Sequence, residues 1–342
     1  MLLTSDSVFV HSRDLSDRAT GVRIAVVVPA YKCAKQIGPV LNSIPQFINH
    51  IIVVDDASPD HIEVEVNRVE DERLIYIRHE QNQGVGGAML TGYEKAIALG
   101  VEIILKIDGD GQMNVNDIPS LIRPVLDGRA DYAKGNRFFY PHYLNRMPRL
   151  RLIGNIGLTF LAKVASGYWN IFDPTNGFTV IHRDVLRLLN KDHIYRRYFF
   201  ESSLLIELNR VRAVVVDIPI PARYGDEESS LSVLNAFFEF PMNLFKGLMR
   251  RIYWQYFLYD FTAVSLFLIL GTLLTMVGGL WGIYHWYISI RYDLVATTGT
   301  VMLAVLPIIL GFQLLLQAIV LDIQNIPTTP IQKRNSPLLD KF

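Results

Sequence analysis

Asp108 and Asp110 stand two residues apart in the run Asp108-Gly109-Asp110-Gly111-Gln112. Alternate carboxylates on a tightly turning backbone can coordinate a hard cation, directly or through water, and such a cation completes its shell with phosphate oxygens. That chemistry fits a nucleotide diphosphate held through a divalent metal, with Gln112 as a further neutral oxygen and the metal as a Lewis acid on the departing diphosphate. Three other polar clusters accompany it: Pro29-Ala30-Tyr31, Asp55-Asp56-Ala57-Ser58 and Asn82-Gln83-Gly84-Val85-Gly86-Gly87-Ala88. Taken singly, the aspartate pair also fits a helix cap and the glycines a tight turn. The glycine run reads G-x-G-G-A rather than G-x-G-x-x-G and follows the third strand, not the first, which argues against a dehydrogenase. A glycine-rich turn opening a helix over Gly86–Leu99 would still bring the N–H groups of Gly84, Gly86 and Gly87 near a phosphate or sugar.

The elements that must position these clusters are short apolar runs. Val22–Val28, Ile51–Val54, Leu74–Ile77 and Ile103–Ile107 read as strands, with helices between them. Continuous apolar strands alternating with helices imply an α/β fold, a mostly parallel sheet covered on both faces. Ligands bind such sheets outside the carboxyl ends of the strands. Each polar cluster follows one strand, so four strand ends would line one crevice.

A second group of residues suits a phosphate-bearing lipid. Arg137, Arg146, Arg149 and Arg151 lie in a stretch poor in acidic residues and set among aromatics and aliphatics. Arginine forks match phosphate oxygens, and the apolar neighbours match an isoprenoid tail; a solvated basic loop, or contact with anionic lipid headgroups, is the alternative. Asp173, in Asp173-Pro174-Thr175-Asn176-Gly177-Phe178, is a candidate to orient acceptor or sugar or to act as a base, and Glu201 is a lesser candidate. A phosphate monoester, with its second pKa of about 6, is already substantially ionised at neutral pH and needs no strong base.

Composition narrows the classes. The 342 residues carry 33 Lys+Arg against 33 Asp+Glu, which gives no support for a nucleic-acid partner. The single cysteine, Cys33, excludes an intrachain disulfide framework and a cysteine-rich zinc site, and suits a reducing compartment. Half the residues are hydrophobic and 19% are charged. The excess is concentrated in two runs free of Asp, Glu, Lys and Arg, between Asp260 and Arg291 and between Asp293 and Asp322. Each exceeds the roughly 20 residues that cross a bilayer, and Trp281, Tyr284, Trp286 and Tyr287 form an aromatic belt. Lys246, Arg250 and Arg251 precede the first run, and Lys333, Arg334 and Lys341 follow the second. By the positive-inside rule both termini and the catalytic domain are expected in the cytoplasm. Leu231–Met249, rich in aromatics, reads as a helix lying on the bilayer and interrupted near Pro241.

The series PAY, VDDAS, NQGVGGA, DGDGQ, GNRF and DPTNGF resembles glycosyltransferase family 2, and within it the polyprenyl-phosphate glycosyltransferases similar to dolichyl-phosphate mannose synthase and the bacterial undecaprenyl-phosphate glucosyltransferases. The likeness implies a GT-A fold, a Rossmann-like and mostly parallel catalytic domain, with a C-terminal two-helix transmembrane hairpin. It implies Mg²⁺ or Mn²⁺ on Asp108, Asp110 and Gln112, and a nucleoside held by Pro29, Tyr31, Asp55 and Asp56. It also implies a lipid phosphate held by Arg137, Arg151 and Asn155, joined by Arg223. The implied partners are a nucleotide sugar, a polyprenyl phosphate and the bilayer, with a homo-oligomer as an option. Two positions depart from the family pattern. Lys32-Cys33 replaces Asn-Glu, and the segment at Arg223 lacks the lysine of R-x-x-G-x-S-K. The expected organisation is a polar tail over 1–21, the catalytic domain over 22–230 and an interfacial segment over 231–257. Transmembrane helices at about 261–285 and 297–321 and a tail over 324–342 follow. A processive polysaccharide synthase fits less well, since Q-x-x-R-W and further spans are lacking; a non-catalytic scaffold of the same fold is the remaining alternative.

Overall fold

The computed structural model describes residues 21–139, 149–221 and 233–334, with the backbone alone for 149–153, 155 and 233–238. Arg146 and Arg223 lie outside the described residues, as do the side chains of Arg149, Arg151 and Asn155.

The apolar runs form the strands they predict: β1 (Ile24–Ala30), β2 (His50–Asp55), β3 (Leu74–Arg78) and β4 (Ile103–Lys106). Three more follow, β5 (Tyr132–Asn136), β6 (Thr179–His182) and β7 (Val215–Pro219). Their order in the sheet is β3-β2-β1-β4-β6-β5-β7. The first four run parallel, β6 runs antiparallel to both β4 and β5, and β7 pairs parallel with β5. β1 and β2 are buried almost throughout, which is why they read as continuous rather than alternating apolar runs.

The helices intervene as α1 (Ala34–Ser43), α2 (Ile62–Asn67), α3 (Val85–Ala98), α4 (Ile118–Leu126), α5 (Arg149–Ser166), α6 (Arg183–Leu188) and α7 (Phe200–Arg210). One core gathers Val26 and Val28 of β1, Ile51 and Val53 of β2, Leu105 of β4, and Ile37 and Ile122 from the helices above them. The reversal at β6 matters for the site. It brings the loop ending at Gly177-Phe178 to the edge of the sheet where β1 to β5 present their carboxyl ends. Register completes the arrangement: Ala30 pairs with Asp55 and Asp55 with Arg78, while Thr179 lies between Lys106 and Lys134.

Helix α8 (Val233–Tyr253) runs unbroken through Pro241, in contrast to the expected interruption. Pro241 is exposed, and Leu244 and Gly247 are buried beyond it. Packing on that inner side outweighs the one intrahelical bond that proline removes. Gly247 lies so close to Ile206 of α7 that a Cβ there would overlap it.

A second compact unit spans Met249–Ile326. It holds α9 (Ala263–Tyr292) and α10 (Thr298–Gln324), both long and apolar enough to cross a membrane. Only 22% and 17% of their most apolar windows are buried, whereas a core helix of a soluble protein would be mostly covered. Small residues let the two helices approach: a Cβ on Gly278 would lie 2.6 Å from the Ala304 carbonyl oxygen, and one on Gly271 3.0 Å from that of Gly311. Arg251, 2% exposed, donates to both oxygens of Asp322 at 2.7 and 3.0 Å, and the Tyr256 hydroxyl donates to the same carboxylate at 2.5 Å. After α10 the chain returns to the catalytic unit. The N–H groups of Ile331 and Gln332 donate to the buried Asp131 at 2.9 and 3.3 Å.

Removing one member of a buried ion pair strands the other, which costs about 3–5 kcal/mol. Arg251→Met is therefore expected to lower the melting temperature of the detergent-solubilised chain clearly, while the double change Arg251→Met with Asp322→Leu recovers most of the loss.

Candidate active site

One buried charge at the carboxyl ends of the strands belongs to a residue that motif reading passes over. Lys106 closes β4 with 2% exposure, and its ammonium lies 2.9 Å from Glu201 Oε1 and 3.1 Å from Asp108 Oδ1. Burial works against the charged amine, but the two carboxylates outweigh it and hold the Lys106 pKa above the ordinary lysine value. The DPTNGF loop closes on this group. A Cβ on Gly177 would overlap Lys106 Nζ and lie 2.9 Å from Asp108 Oδ2, so a side chain there would have to displace the ends of both. Lys106 thereby links the first metal-candidate aspartate to α7 and Glu201. The signal was present in the sequence as a lone lysine in the apolar run IILKI, because a buried charge must find partners.

Asp55 and Asp56 hold the crevice wall together. Asp55 is fully buried, accepts from the Ser58 N–H at 2.7 Å and the Tyr76 hydroxyl at 2.6 Å, and pairs with Arg78 at 3.2 Å. Asp56 accepts from the N–H groups of Gln83 and Gly84 at 2.8 and 2.7 Å and meets His79 Nδ1 at 2.8 Å. It thus moors the glycine turn to the end of β2. The turn itself is shaped for packing. Gly84 has φ +85°, and the N–H groups of Gly86 and Gly87 donate to the Arg196 carbonyl at 2.8 and 3.1 Å. These two amides, which the sequence suggested for a phosphate or sugar, are spent on the chain at Tyr195–Arg197, whose backbone a Cβ on Gly84 or Gly86 would strike. Tyr31, at the end of β1, is 47% exposed and open to a ligand; Pro29 lies inside β1 with its carbonyl near Gly109.

Arg137, directly after β5, is fixed by Asp173. Its Nε and Nη2 donate to the two carboxylate oxygens at 2.8 and 3.0 Å, and its backbone N–H adds a bond at 3.3 Å. Asp173 is fully buried and Arg137 is 38% exposed, so the guanidinium is anchored by the carboxylate while part of the side chain reaches solvent. Burial would raise the Asp173 carboxyl, but the Arg137 charge and hydrogen bonds outweigh it and hold it below the usual carboxylate range. A carboxylate so held is a weak proton acceptor. In this geometry Asp173 fixes the plane of Arg137. Behind it lies Lys134, wholly buried, its amine without a hydrogen-bond partner among the described residues and its pKa pushed down by burial. Asp217 accepts from the Phe172 N–H at 2.7 Å and the Asn136 amide at 3.1 Å, and burial raises its carboxyl to about 6.

Asp110 borders an open pocket of about 440 Å³ formed with Lys35, Gln36 and Pro39 of α1. The contact seen for Gln112 is its backbone N–H donating to Asp110 Oδ1 at 3.0 Å. Among the described residues no group of three or more His, Cys, Asp or Glu is set to hold a metal alone. Two carboxylates with water and diphosphate oxygens completing the shell form the donor set that Mg²⁺-like cations accept, so these residues fit such an ion.

Comparison with known proteins agrees with this geometry. The profile described as "Glycosyl transferase family 2" matches residues 25–189. A UDP-N-acetylglucosamine–dolichyl-phosphate N-acetylglucosaminyltransferase of Methanococcus voltae is 32% identical over 59% of this chain and 86% of its own length. An undecaprenyl-phosphate mannosyltransferase of Micrococcus luteus is 24% identical over 58% of this chain and 83% of its own. Glucosyl-3-phosphoglycerate synthase from Mycobacterium tuberculosis, crystallised with Mn²⁺, UDP and glucosyl-3-phosphoglycerate, shares the fold. Its TM-score is 0.53 and its identity 19%, over 73% of this chain and 86% of that one. The chain belongs to glycosyl transferase family 2, in its polyprenyl-phosphate glycosyltransferase group, and has the GT-A fold.

Two outcomes follow from the buried charges. Lys106→Met leaves Asp108 and Glu201 facing each other without a counter-ion and is expected to cost about 3–5 kcal/mol, read as a fall in unfolding midpoint. Asp217 contributes stability fully below its ordinary 3.8 and loses it as pH rises through about 6, because the folded state resists ionising it. Denaturant unfolding of Asp217→Asn between pH 4 and 7 should therefore gain on the wild type with rising pH; parallel curves would contradict the assignment.

Proposed function

We propose that this glycosyltransferase moves a hexose from a nucleotide-diphospho-sugar to a polyprenyl phosphate at the cytoplasmic membrane face, with inversion at the anomeric carbon. One observation carries the reading. The Asp108-Gly109-Asp110 turn and an arginine fixed by Asp173 share the carboxyl edge of one sheet, so a leaving diphosphate and an anionic nucleophile would have separate partners. UDP-glucose heads the candidate donors and GDP-mannose follows. The substrate named for the Methanococcus voltae relative adds UDP-N-acetylglucosamine.

Chemistry requires little beyond placement. The acceptor phosphate is already ionised near neutral pH. Arg137 presents its outer edge to a phosphate oxygen while Asp173 fixes its plane, and Arg151, Asn155 and Arg223 would complete the grip on the lipid phosphate. Tyr31, at the open end of β1, would stack on or bond the nucleoside. Asp108 and Asp110 would hold Mg²⁺ or Mn²⁺, which would supply positive charge to the departing diphosphate. Lys106 keeps Asp108 in place beneath. In-line attack then needs orientation and charge stabilisation rather than a base. On α5 the exposed Ile156, Phe160 and Leu161 offer an apolar track suited to an isoprenoid.

Two features support the membrane placement. Basic residues flank both ends of the α9–α10 pair, and the segment after α10 rejoins the catalytic unit through Asp131. On this reading 22–230 is the catalytic domain, 231–257 the interfacial segment and 258–323 the hairpin.

The test is to incubate membranes carrying the full chain with a panel of labelled nucleotide sugars and extract the lipid fraction. Label in a mild-acid-labile lipid from one donor supports the proposal, and none from any donor refutes it. Asp110→Asn is expected to reduce that transfer by at least about 100-fold, the scale on which loss of leaving-group stabilisation acts, with the unfolding midpoint unchanged.

A further inference from the structure

A row of polar residues crosses the sheet beneath the site. Lys106 of β4 pairs in register with Thr179 of β6, Thr179 with Lys134 of β5, and Lys134 with Asp217 of β7. Residues paired in register share a face, so the four side chains stand side by side. Lys106, Thr179 and Lys134 are 2%, 3% and 0% exposed. One end of the row is satisfied, because Lys106 sits between Asp108 and Glu201. The other end is not. The Lys134 amine and Asp217 Oδ1, on neighbouring strands, are both buried without a hydrogen-bond partner among the described residues. An unsatisfied buried amine costs stability, so its retention calls for a purpose.

The other oxygen of Asp217 points to that purpose. Oδ2 accepts from the Phe172 N–H at 2.7 Å and from the Asn136 amide at 3.1 Å. Asn136 Oδ1 in turn accepts the Phe138 N–H at 2.9 Å, which bends the chain around Arg137. Phe172 immediately precedes Asp173, so one carboxylate oxygen ties together both arms of the Arg137–Asp173 pair. Lys134 acts on the same pair through charge. Burial opposes its own ionisation, the Asp173, Asp217 and Glu201 carboxylates favour it, and Arg137 opposes it. Asp217 also faces Lys163 of α5. Because Asp173 meets Arg137 through both oxygens, the pair by itself has little net charge to offer an anion. A phosphate seated there would find further counter-charge in Lys134 and would in turn stabilise the buried ammonium.

We infer that Lys134 and Asp217 are positioning residues for the acceptor phosphate: Asp217 fixes the two arms that carry Arg137 and Asp173, and Lys134 supplies a buried positive charge behind them. The inference rests on the polyprenyl-phosphate reading of the Arg137 end but not on the identity of the sugar.

The test is calorimetric titration of the full chain in detergent with citronellyl phosphate, a short isoprenyl monophosphate. A second titration uses UDP or GDP with Mg²⁺, whichever the wild type takes. Lys134→Met is expected to weaken citronellyl phosphate binding by about tenfold or more, the scale of a charge acting through a protein interior. Its nucleotide affinity should stay within about twofold of the wild type, as for sites that do not touch. Its unfolding midpoint should hold or rise, because an unsatisfied amine is gone. Asp217→Leu is expected to weaken citronellyl phosphate comparably, and Asp217→Asn, which still offers an oxygen to Phe172, to recover most of that loss. Unchanged citronellyl phosphate affinity in Lys134→Met, beside its loss in Arg137→Gln, would overturn the inference and leave the acceptor reading intact. Loss of both ligands with a lowered midpoint would make Lys134 a structural residue only and overturn it equally. Full affinity in Asp217→Leu, or Asp217→Asn no better than Asp217→Leu, would remove Asp217 from the assignment. A wild type that takes neither citronellyl phosphate nor a long polyprenyl phosphate would remove the acceptor reading beneath it.

Discussion

A lysine ammonium buried at the end of β4 must be met by carboxylates, and that requirement organises the site. Lys106 satisfies it with Asp108 on its own strand end and Glu201 on α7, two elements 95 residues apart in the chain. The DPTNGF loop closes over the buried charge, and glycine at 177 lets it approach without displacing the ends of Lys106 and Asp108. The metal-candidate aspartate, the loop that carries Asp173 and the helix that carries Glu201 are thus drawn to one point.

The remaining aspartates divide labour by burial. Asp55, Asp56 and Asp173 are almost wholly enclosed, and each spends its oxygens on neighbours: Tyr76 and Arg78, the glycine turn, and Arg137. Asp108 and Asp110 retain access to solvent. The buried three shape the crevice and orient its arginine, and the accessible two are the pair proposed to meet a cation. Residue type alone does not separate these roles, since all five are aspartates in polar runs after strands or within a loop.

The second unit follows from a different constraint. Helices with exposed leucine, isoleucine and tryptophan over most of their surface need an apolar surround, and the glycines at their crossing let them meet closely in it. The charged pair of Arg251 with Asp322 secures the end of that unit where the chain turns from α8 into α9.

Much of this was legible beforehand. Alternation of apolar runs with polar strand ends indicated the parallel sheet, and charge-free stretches indicated the two long helices, because both signals arise from local patterning that burial or lipid imposes directly. The family resemblance added the candidate residues. The helix through Pro241 was misread, since propensity speaks for an interruption and only packing of Leu244 and Gly247 overrides it. What tertiary structure alone decided is how the charges pair. Lys106 and Glu201, Arg137 and Asp173, and Arg196 with the amides of Gly86 and Gly87 are distant in sequence, and Coulomb and hydrogen-bond energies depend on separation in space. The residue list therefore named the chemistry available, and the fold determined which carboxylate anchors, which arginine it orients and which glycine is there to make room.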